Sequence, residues 1–118
     1  MNQLTKIFNG NQLRIINKDN QPWFVAKDVC DILKHSNSRV ALSRLDEDEK
    51  GVSKVYTHGG YQQMSVINEF GLYSLVLTSN LPEAKKFKRW VTHEVIPSIR
   101  KHGAYMTPET IEQALLNP

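Results

Sequence analysis

The sequence predicts an α+β fold in which a small antiparallel sheet packs with two short and two longer helices. Apolar runs typical of strands fall in residues 4–25 and 52–67, and short turn-forming stretches separate them. Residues with helical apolar spacing lie between and after these regions, so strands and helices are segregated along the chain. The length of 118 residues suffices for one hydrophobic core and not for two.

The predicted sheet combines an N-terminal meander with one later hairpin. Asn9-Gly10 favours the positive φ angles of a tight hairpin turn, and residues 18–20 form a second turn. The glycines of residues 58–60 supply the turn of the later hairpin. The strands are expected at residues 4–8, 13–16, 23–25, 52–57 and 61–67.

Four helices are predicted between and after the strands. They are expected from residue 27 to about residue 35, and at residues 38–45, 70–77 and 82–101. Asn68 is predicted to cap the third helix, where Ile67 and Leu72 occupy the hydrophobic-staple positions. This third helix is apolar nearly all round, which predicts a central position without a solvent-exposed face.

The fourth predicted helix is amphipathic. Phe87 and Trp90 belong to its apolar stripe and are expected in the core, whereas Lys85 and Arg89 lie on the opposite side. Pro97 lies inside this helix and cannot donate a backbone hydrogen bond. A kink or a break is therefore expected near it.

The chain is expected to comprise a domain of residues 1–103 and a segment of residues 104–118 that begins a linker and a further helix. That helix is predicted over residues 108–116, with Ile111, Leu115 and Leu116 as its apolar positions. Because so short a segment cannot bury its own apolar face, we expect a further C-terminal region to follow. Its apolar surface, together with that of residues 70–77, predicts a homodimer.

Composition and charge exclude several classes of protein. A hydrophobic content of 40 % is typical of a globular domain, and the longest apolar-rich run is far shorter than the roughly 20 residues of a membrane span. Cys30 is the only cysteine, so the sequence predicts neither an internal disulfide nor a cysteine-based zinc site, and it favours a cytoplasmic location. The net charge of +3 arises from two basic regions on either side of an acidic stretch at residues 45–50, which indicates a polyanionic partner.

No set of residues indicates catalysis. Residues 93–97 begin like the zinc-binding H-E-x-x-H motif, but a proline occupies the position of the second histidine. Cys30 is interpreted as a small buried hydrophobic residue rather than as a nucleophile. Asp28 and Asp31 are interpreted as solvent-exposed residues that compensate the helix dipole. The sequence therefore predicts a protein that is not an enzyme and has neither a metal nor a cofactor.

Three features are suited to nucleic acid. They are the helix–turn–helix span of residues 27–45, the hairpin of residues 52–67 and the basic cluster of residues 85–89. Each has a structural alternative: two short helices packed on a sheet, a structural hairpin, and a solvated helix face. The hairpin also carries Tyr56, Gln62 and Gln63 near its tip. The candidate DNA-contacting residues are Asn37, Arg39, Ser43, Arg44, Lys54, His58, Tyr61, Lys85, Lys86, Lys88 and Arg89.

Several spaced blocks of sequence resemble one family. The blocks are Trp-Phe-Val-Ala-Lys-Asp-Val-Cys at residues 23–30, Asp-Glu-Lys-Gly at 48–51, Glu-Phe-Gly-Leu-Tyr at 69–73 and the stretch 84–100. Together they are similar to the Bro N-terminal domain of phage and prophage antirepressors and of baculovirus Bro proteins, over residues 3–103. Phe70 departs from the family pattern, in which a small or polar residue is expected.

The resemblance implies a DNA-binding domain, usually joined to a variable C-terminal domain, in proteins that counter a repressor during prophage induction. It supplies no set of DNA-contacting residues, so the candidates above rest on charge and helical spacing. We expect a non-enzymatic regulator that binds double-stranded DNA in the cytoplasm of a bacterial host. The alternative is a protein-interaction domain that binds and inactivates a phage repressor without contacting DNA. The residues alone do not separate these two functions.

Overall fold

The computed structural model describes residues 3–101, and the side chains of residues 3–99. The strands are β1 (Gln3–Phe8), β2 (Asn11–Lys18), β3 (Gln21–Val25), β4 (Lys50–Thr57) and β5 (Gly60–Asn68). The helices are α1 (Ala26–Ile32), α2 (Ser38–Ser43), α3 (Glu69–Leu77), α4 (Glu83–Trp90) and α5 (Ile96–Lys101). A single 3₁₀ turn, Glu47–Glu49, precedes β4, and a π-helical stretch, Val91–Val95, joins α4 to α5. The predicted helix at residues 108–116, and the whole segment of residues 104–118, lie outside the described residues.

The meander and the later hairpin form one antiparallel sheet in the order β1-β2-β3-β5-β4. Pairing of β3 with β5 joins the two parts, and Phe24 lies opposite Ile67. The first predicted turn is confirmed, since Asn9 and Gly10 have φ angles of 49° and 81°. The predicted α+β arrangement is therefore confirmed.

The helices cover one face of the sheet and enclose the main core. The largest fully buried side chains there are Leu13, Ile15, Phe24, Ile67, Leu72 and Phe87. The opposite face carries a smaller cluster of Ile16, Val25, Val55 and Val66, with Trp23 and Met64 half-buried against it. No helix among residues 3–101 contributes a side chain to this cluster, and the sheet curves so that its two edge strands meet.

The side chain of Gln3 closes the coiled sheet. Its amide nitrogen donates to the carbonyl of Tyr56 over 3.2 Å, and its amide oxygen accepts from the Tyr56 N–H over 2.8 Å. A carboxamide carries the same donor and acceptor as a peptide group, so Gln3 acts as one residue of a neighbouring strand. Edge strands β1 and β4 are thereby linked near the tip of the β4–β5 hairpin.

The last helical segments continue through Pro97 with altered geometry. Pro97 is the second residue of α5, and the π-helical stretch directly precedes that helix. The π-helical stretch interrupts the regular i→i−4 ladder, so the helix does not break at the proline but changes its hydrogen-bond pattern just before it. Phe87 is fully buried as predicted, whereas Trp90 is only half-buried because it packs at the rim of the core, 5.2 Å from the ring of Phe8.

Two predictions are wrong. Helix α3 does have an exposed side, on which Phe70 and Leu77 are 66 % and 80 % exposed. It lies at the edge of the helical layer, so only its other side, with Leu72 and Leu75, is buried. Asp28 is not exposed but buried, because β3 ends at Val25 and leaves the Arg14 N–H without a strand partner. The Asp28 carboxylate accepts that N–H instead, over 2.9 Å.

Candidate functional site

An open cleft of about 440 Å³ separates the α1–α2 unit from strand β5. Lys27, His35, Ser38 and Leu42 line its helical wall, and residues 62–65 line its strand wall. The structure therefore brings two of the predicted nucleic-acid features together, the helix–turn–helix span and the hairpin. Both contribute side chains to one concave surface.

Helix α2 is held at each end by its own polar side chains. The side-chain oxygen of Asn37 accepts from the Val40 N–H over 3.1 Å and caps the N-terminus. The Ser43 hydroxyl donates to the carbonyl of Val40 over 2.6 Å, in the last turn. Two of the predicted DNA-contacting residues thus have structural roles, whereas Arg39 and Arg44 are exposed cations.

The hairpin presents a polar and aromatic surface on the same sheet face that the helices cover further along. Lys54 lies opposite Gln63, and Tyr56 lies opposite Tyr61. The N–H and C=O of Tyr56 both bond to Gln3, so Tyr56 and Tyr61 form a non-hydrogen-bonded pair, in which side chains approach closely. Their rings accordingly meet edge to face with centroids 5.3 Å apart.

The tip of the hairpin is fixed by several hydrogen bonds. The Thr57 hydroxyl donates to the Gly60 carbonyl over 2.7 Å, and Gly60 adopts a φ of 100° that a side chain would strain. The Gln3 amide holds the Tyr56 backbone from the other side. His58, in the turn, is exposed, and so are Tyr56 and Tyr61 at 50 % and 57 %. The rings of Tyr56 and Tyr61 are therefore exposed on a hairpin tip whose backbone is held by hydrogen bonds.

Charged side chains lie both in the cleft and beside it. The lining contains one lysine, Lys27, and one carboxylate, Asp31. The predicted cations Arg39, Arg44 and Lys54 are exposed on the flanking elements but do not line the cleft. Four successive acidic residues, 46–49, lie at the base of the hairpin, at the end of β4 away from the tip. Within residues 3–101, no group of three or more His, Cys, Asp or Glu side chains is arranged to hold a metal ion.

The basic cluster of α4 lies elsewhere. Phe87 and Trp90 pack this helix against Phe8, at the end of β1 away from Gln3 and the hairpin tip. Lys85 and Arg89 are exposed, as predicted. Lys86 pairs with Glu83 over 3.7 Å, and the Lys88 ammonium lies 5.8 Å from the centre of the Tyr73 ring. The third predicted feature is therefore a separate surface.

Three buried ionisable groups, Arg14, Asp28 and Cys30, lie on or against α1, and Cys30 lines the cleft. The Asp28 carboxylate binds the Arg14 guanidinium in a bidentate pair of 2.8 and 2.9 Å, and this hydrogen bond raises the pKa of Arg14. Burial raises the pKa of the Cys30 thiol to about 11, with a smaller contribution from Asp31. The thiol is therefore protonated at neutral pH, which suits a packed side chain and not a nucleophile.

Sequence reasoning missed Lys27 and His35. Both lie on α1 or directly after it, and they reach the cleft because the chain reverses between α1 and α2. Lys34 makes this reversal with a φ of 56°, and the His35 N–H then donates to the Cys30 carbonyl over 2.9 Å. The His35 ring lies 3.3 Å from the Leu75 carbonyl. No spacing pattern signals such a turn at a lysine.

No helix in the described part of the chain has the length and apolar character needed to cross a bilayer.

Comparisons with known proteins point to one family. The model of the family described as "BRO family, N-terminal domain" matches residues 12–97. An uncharacterized protein of Haemophilus influenzae is 44 % identical over 93 residues, which cover 77 % of this chain and 46 % of that protein. A Bro-N domain-containing protein of Invertebrate iridescent virus 6 is 32 % identical over 124 residues, covering 89 % of this chain and 30 % of that protein.

A further relative is a Bro-N domain-containing protein of Autographa californica nuclear polyhedrosis virus. It is 30 % identical over 109 residues, covering 77 % of this chain and 33 % of that protein. The chain thus spans from about a third to about half the length of these relatives. No solved structure matches the chain.

Proposed function

The chain belongs to the BRO family through its N-terminal domain, and on this premise we propose that it is a non-enzymatic, DNA-binding regulatory domain. Double-stranded DNA is its partner, and the cleft between α2 and the β4–β5 hairpin is its binding site. One observation carries the proposal: two surface elements with exposed cations flank one open cleft.

The chemistry of the two walls suits a duplex. Arg39 presents a planar guanidinium from a short exposed helix, and such a group can donate two parallel hydrogen bonds to a guanine edge in the major groove. Lys54 and His58 on the braced hairpin suit contacts to phosphate oxygens beside that groove. The α4 cluster of Lys85, Lys86, Lys88 and Arg89 adds positive field from a second surface.

The biological role that follows is that of an antirepressor-type transcriptional regulator of a phage or prophage, acting in the cytoplasm of its host. In this role the domain places the remainder of a longer protein at its DNA target. The match covers only about a third to about half of each of these relatives, which supports such an arrangement.

A repressor-binding domain that does not contact DNA is the second candidate. The exposed side chains on the hairpin favour it, since Val52, Tyr56 and Tyr61 place apolar and aromatic area beside an edge strand. Aromatic residues are enriched in the energetically dominant centres of protein interfaces. This candidate requires the cationic side chains to be dispensable.

The salt dependence of duplex binding distinguishes the two candidates. Fluorescence anisotropy with a labelled duplex should show affinity that falls log-linearly as the salt concentration rises from about 50 to 200 mM, because bound phosphates release counterions. An affinity that is undetectable at about 50 mM salt, or that does not change with salt, contradicts the DNA-binding proposal. Binding to a repressor protein under the same conditions then becomes the function to test.

A further inference from the structure

Helix α3 carries an apolar stripe whose two ends, Phe70 and Leu77, are open to solvent. Phe70, Tyr73 and Leu77 lie at positions i, i+3 and i+7, which share one side of a helix. Phe70 and Leu77 are largely exposed and Tyr73 is half-buried, while Leu72 and Leu75 on the other side are fully packed. We call these three residues the α3 stripe.

The border of the α3 stripe toward α4 is cationic. The Lys88 ammonium lies 5.8 Å from the centre of the Tyr73 ring, and Lys85 is exposed one turn earlier on α4. At the start of the stripe the Tyr73 hydroxyl donates to the Glu69 carboxylate over 2.6 Å. The stripe therefore fits an apolar partner segment that carries acidic residues beside its apolar positions.

The chain contains a segment of that chemistry. Residues 104–118 contain Glu109 and Glu112 and no lysine or arginine. Ile111 and Leu115 are four residues apart, the spacing that places two side chains on one side of a helix. Nine residues lie between Lys101, the end of α5, and Ile111, and the ten Cα-to-Cα steps can reach up to about 33 Å when extended.

A second copy of the α3 stripe is a poorer occupant. Stable interfaces bury roughly 800 Å² on each partner, and the exposed parts of one phenylalanine and one leucine side chain fall well short of that area. A tethered segment needs less area, because the tether raises its effective concentration.

We propose that residues 108–116 bind the α3 stripe of the same chain, with Ile111 and Leu115 against Phe70 and Leu77 and with Glu112 facing Lys88. The contact covers Leu77, which has the highest exposed fraction of the large hydrophobic side chains in the described part of the chain. It also fixes where any region after residue 118 departs, on the α3 side of the domain rather than at the cleft. This inference is independent of what the cleft binds.

Disulfide trapping in the full chain tests the contact. Two cysteines bridge only when their Cα atoms approach within about 7 Å, so Leu77→Cys combined with Leu115→Cys should form an intrachain disulfide under mild oxidation. Val52→Cys combined with Leu115→Cys is the matched control, because Val52 is also well exposed, at 60 %, but lies on β4. The native Cys30 is buried and remains in both variants.

We expect the Leu77 pair to close about tenfold faster or more than the Val52 pair, as measured by thiol loss and mass spectrometry. Equal rates in the two variants, or a disulfide formed only between chains, overturn the inference. A charge reversal supplies the second readout. Lys88→Glu should slow closure of the Leu77 pair, and adding Glu112→Lys should restore it; a slowdown that the second change leaves in place contradicts the assigned pairing.

Discussion

At the scale of single residues, the Asp28 side chain replaces a strand partner, because it accepts the backbone N–H of Arg14. The carboxylate takes the backbone N–H of Arg14 as well as two donors of its guanidinium, at the point where β3 has given way to α1. The two side chains are 10 % and 3 % exposed, so each charge depends on the other.

Replacing Asp28 should therefore destabilise the domain strongly. Asp28→Asn leaves the Arg14 cation buried without a counter-charge, and we expect it to cost about 3–5 kcal/mol of unfolding free energy in urea titrations. Asp31→Asn, on the exposed side of the same helix, is the matched control and should stay within about 0.5 kcal/mol of the wild type. Equal effects of the two changes would show that the buried pair is not needed.

The thiol of Cys30 should respond to alkaline pH in a defined direction. Its pKa of about 11 in the folded chain exceeds the value of about 8.5 in an unfolded one, so on raising the pH the unfolded chain loses its proton first. The contribution of Cys30 to stability is full below about pH 8.5 and disappears as the pH rises toward the folded-state pKa.

At pH 8 the native thiol should react about a hundredfold more slowly with an aromatic disulfide reagent than the thiol of the chain in guanidinium. The rate of thiol release measured by absorbance checks this. Comparable rates in the two states would mean that Cys30 is accessible and ionised in the folded protein.

Arg39 and Lys86 should contribute differently to DNA binding. Arg39→Ala is expected to cost about 1–3 kcal/mol on the preferred duplex and little on unrelated DNA, because a guanidinium can specify a base. Lys86→Ala should weaken binding to all sequences alike and lower the salt slope by about one. Anisotropy titrations on both kinds of duplex measure these effects. If Arg39→Ala changes neither affinity nor preference, α2 does not read the sequence and the hairpin becomes the better candidate.

At the scale of elements, the β4–β5 hairpin depends on a residue 53 positions away. Removing the side-chain amide in Gln3→Ala deletes both hydrogen bonds to Tyr56, worth about 1–2 kcal/mol together. We expect the Tyr56 amide to exchange with deuterium about tenfold faster, as measured by nuclear magnetic resonance. Gln12→Ala, at an exposed position of β2, is the control and should leave that amide unchanged. Unaltered exchange in Gln3→Ala would show that the tip needs no brace.

Local patterns predicted the strands, turns and caps because their signals lie within a few residues. Asn9-Gly10 has the backbone angles of its turn, and Asn68 accepts from the Gly71 N–H over 2.9 Å as the expected cap of α3. The cleft between α2 and β5, the Gln3 link and the exposed side of α3 depend on how distant elements pack. The sequence of a helix that is apolar all round does not indicate which side meets the sheet. The exposure of Phe70 and Leu77 therefore could not be predicted from it.

At the scale of the whole molecule, the homodimer expected from the sequence stays a prediction. The homodimer is expected because residues 70–77 and 108–116 carry apolar surface. A contact between residues 108–116 and the α3 stripe would bury much of that surface within one chain. Light scattering at high micromolar concentration separates the alternatives. The proposed contact predicts the mass of a monomer for the wild-type chain and a larger mass for Leu115→Asp, which should expose the stripe again. A dimeric wild type would restore the original expectation.

The bond between Gln3 and Tyr56 has a practical consequence for anyone who attaches something to this chain. Because Gln3 bonds to Tyr56, a label attached at position 3 lies beside the hairpin tip, next to the proposed DNA surface. If the cleft binds a duplex as proposed, a bulky affinity tag there would compete for the same space and lower the measured affinity. A small fluorophore at the same position becomes a local reporter, whose emission should change when the hairpin is occupied and stay constant when only α4 is engaged.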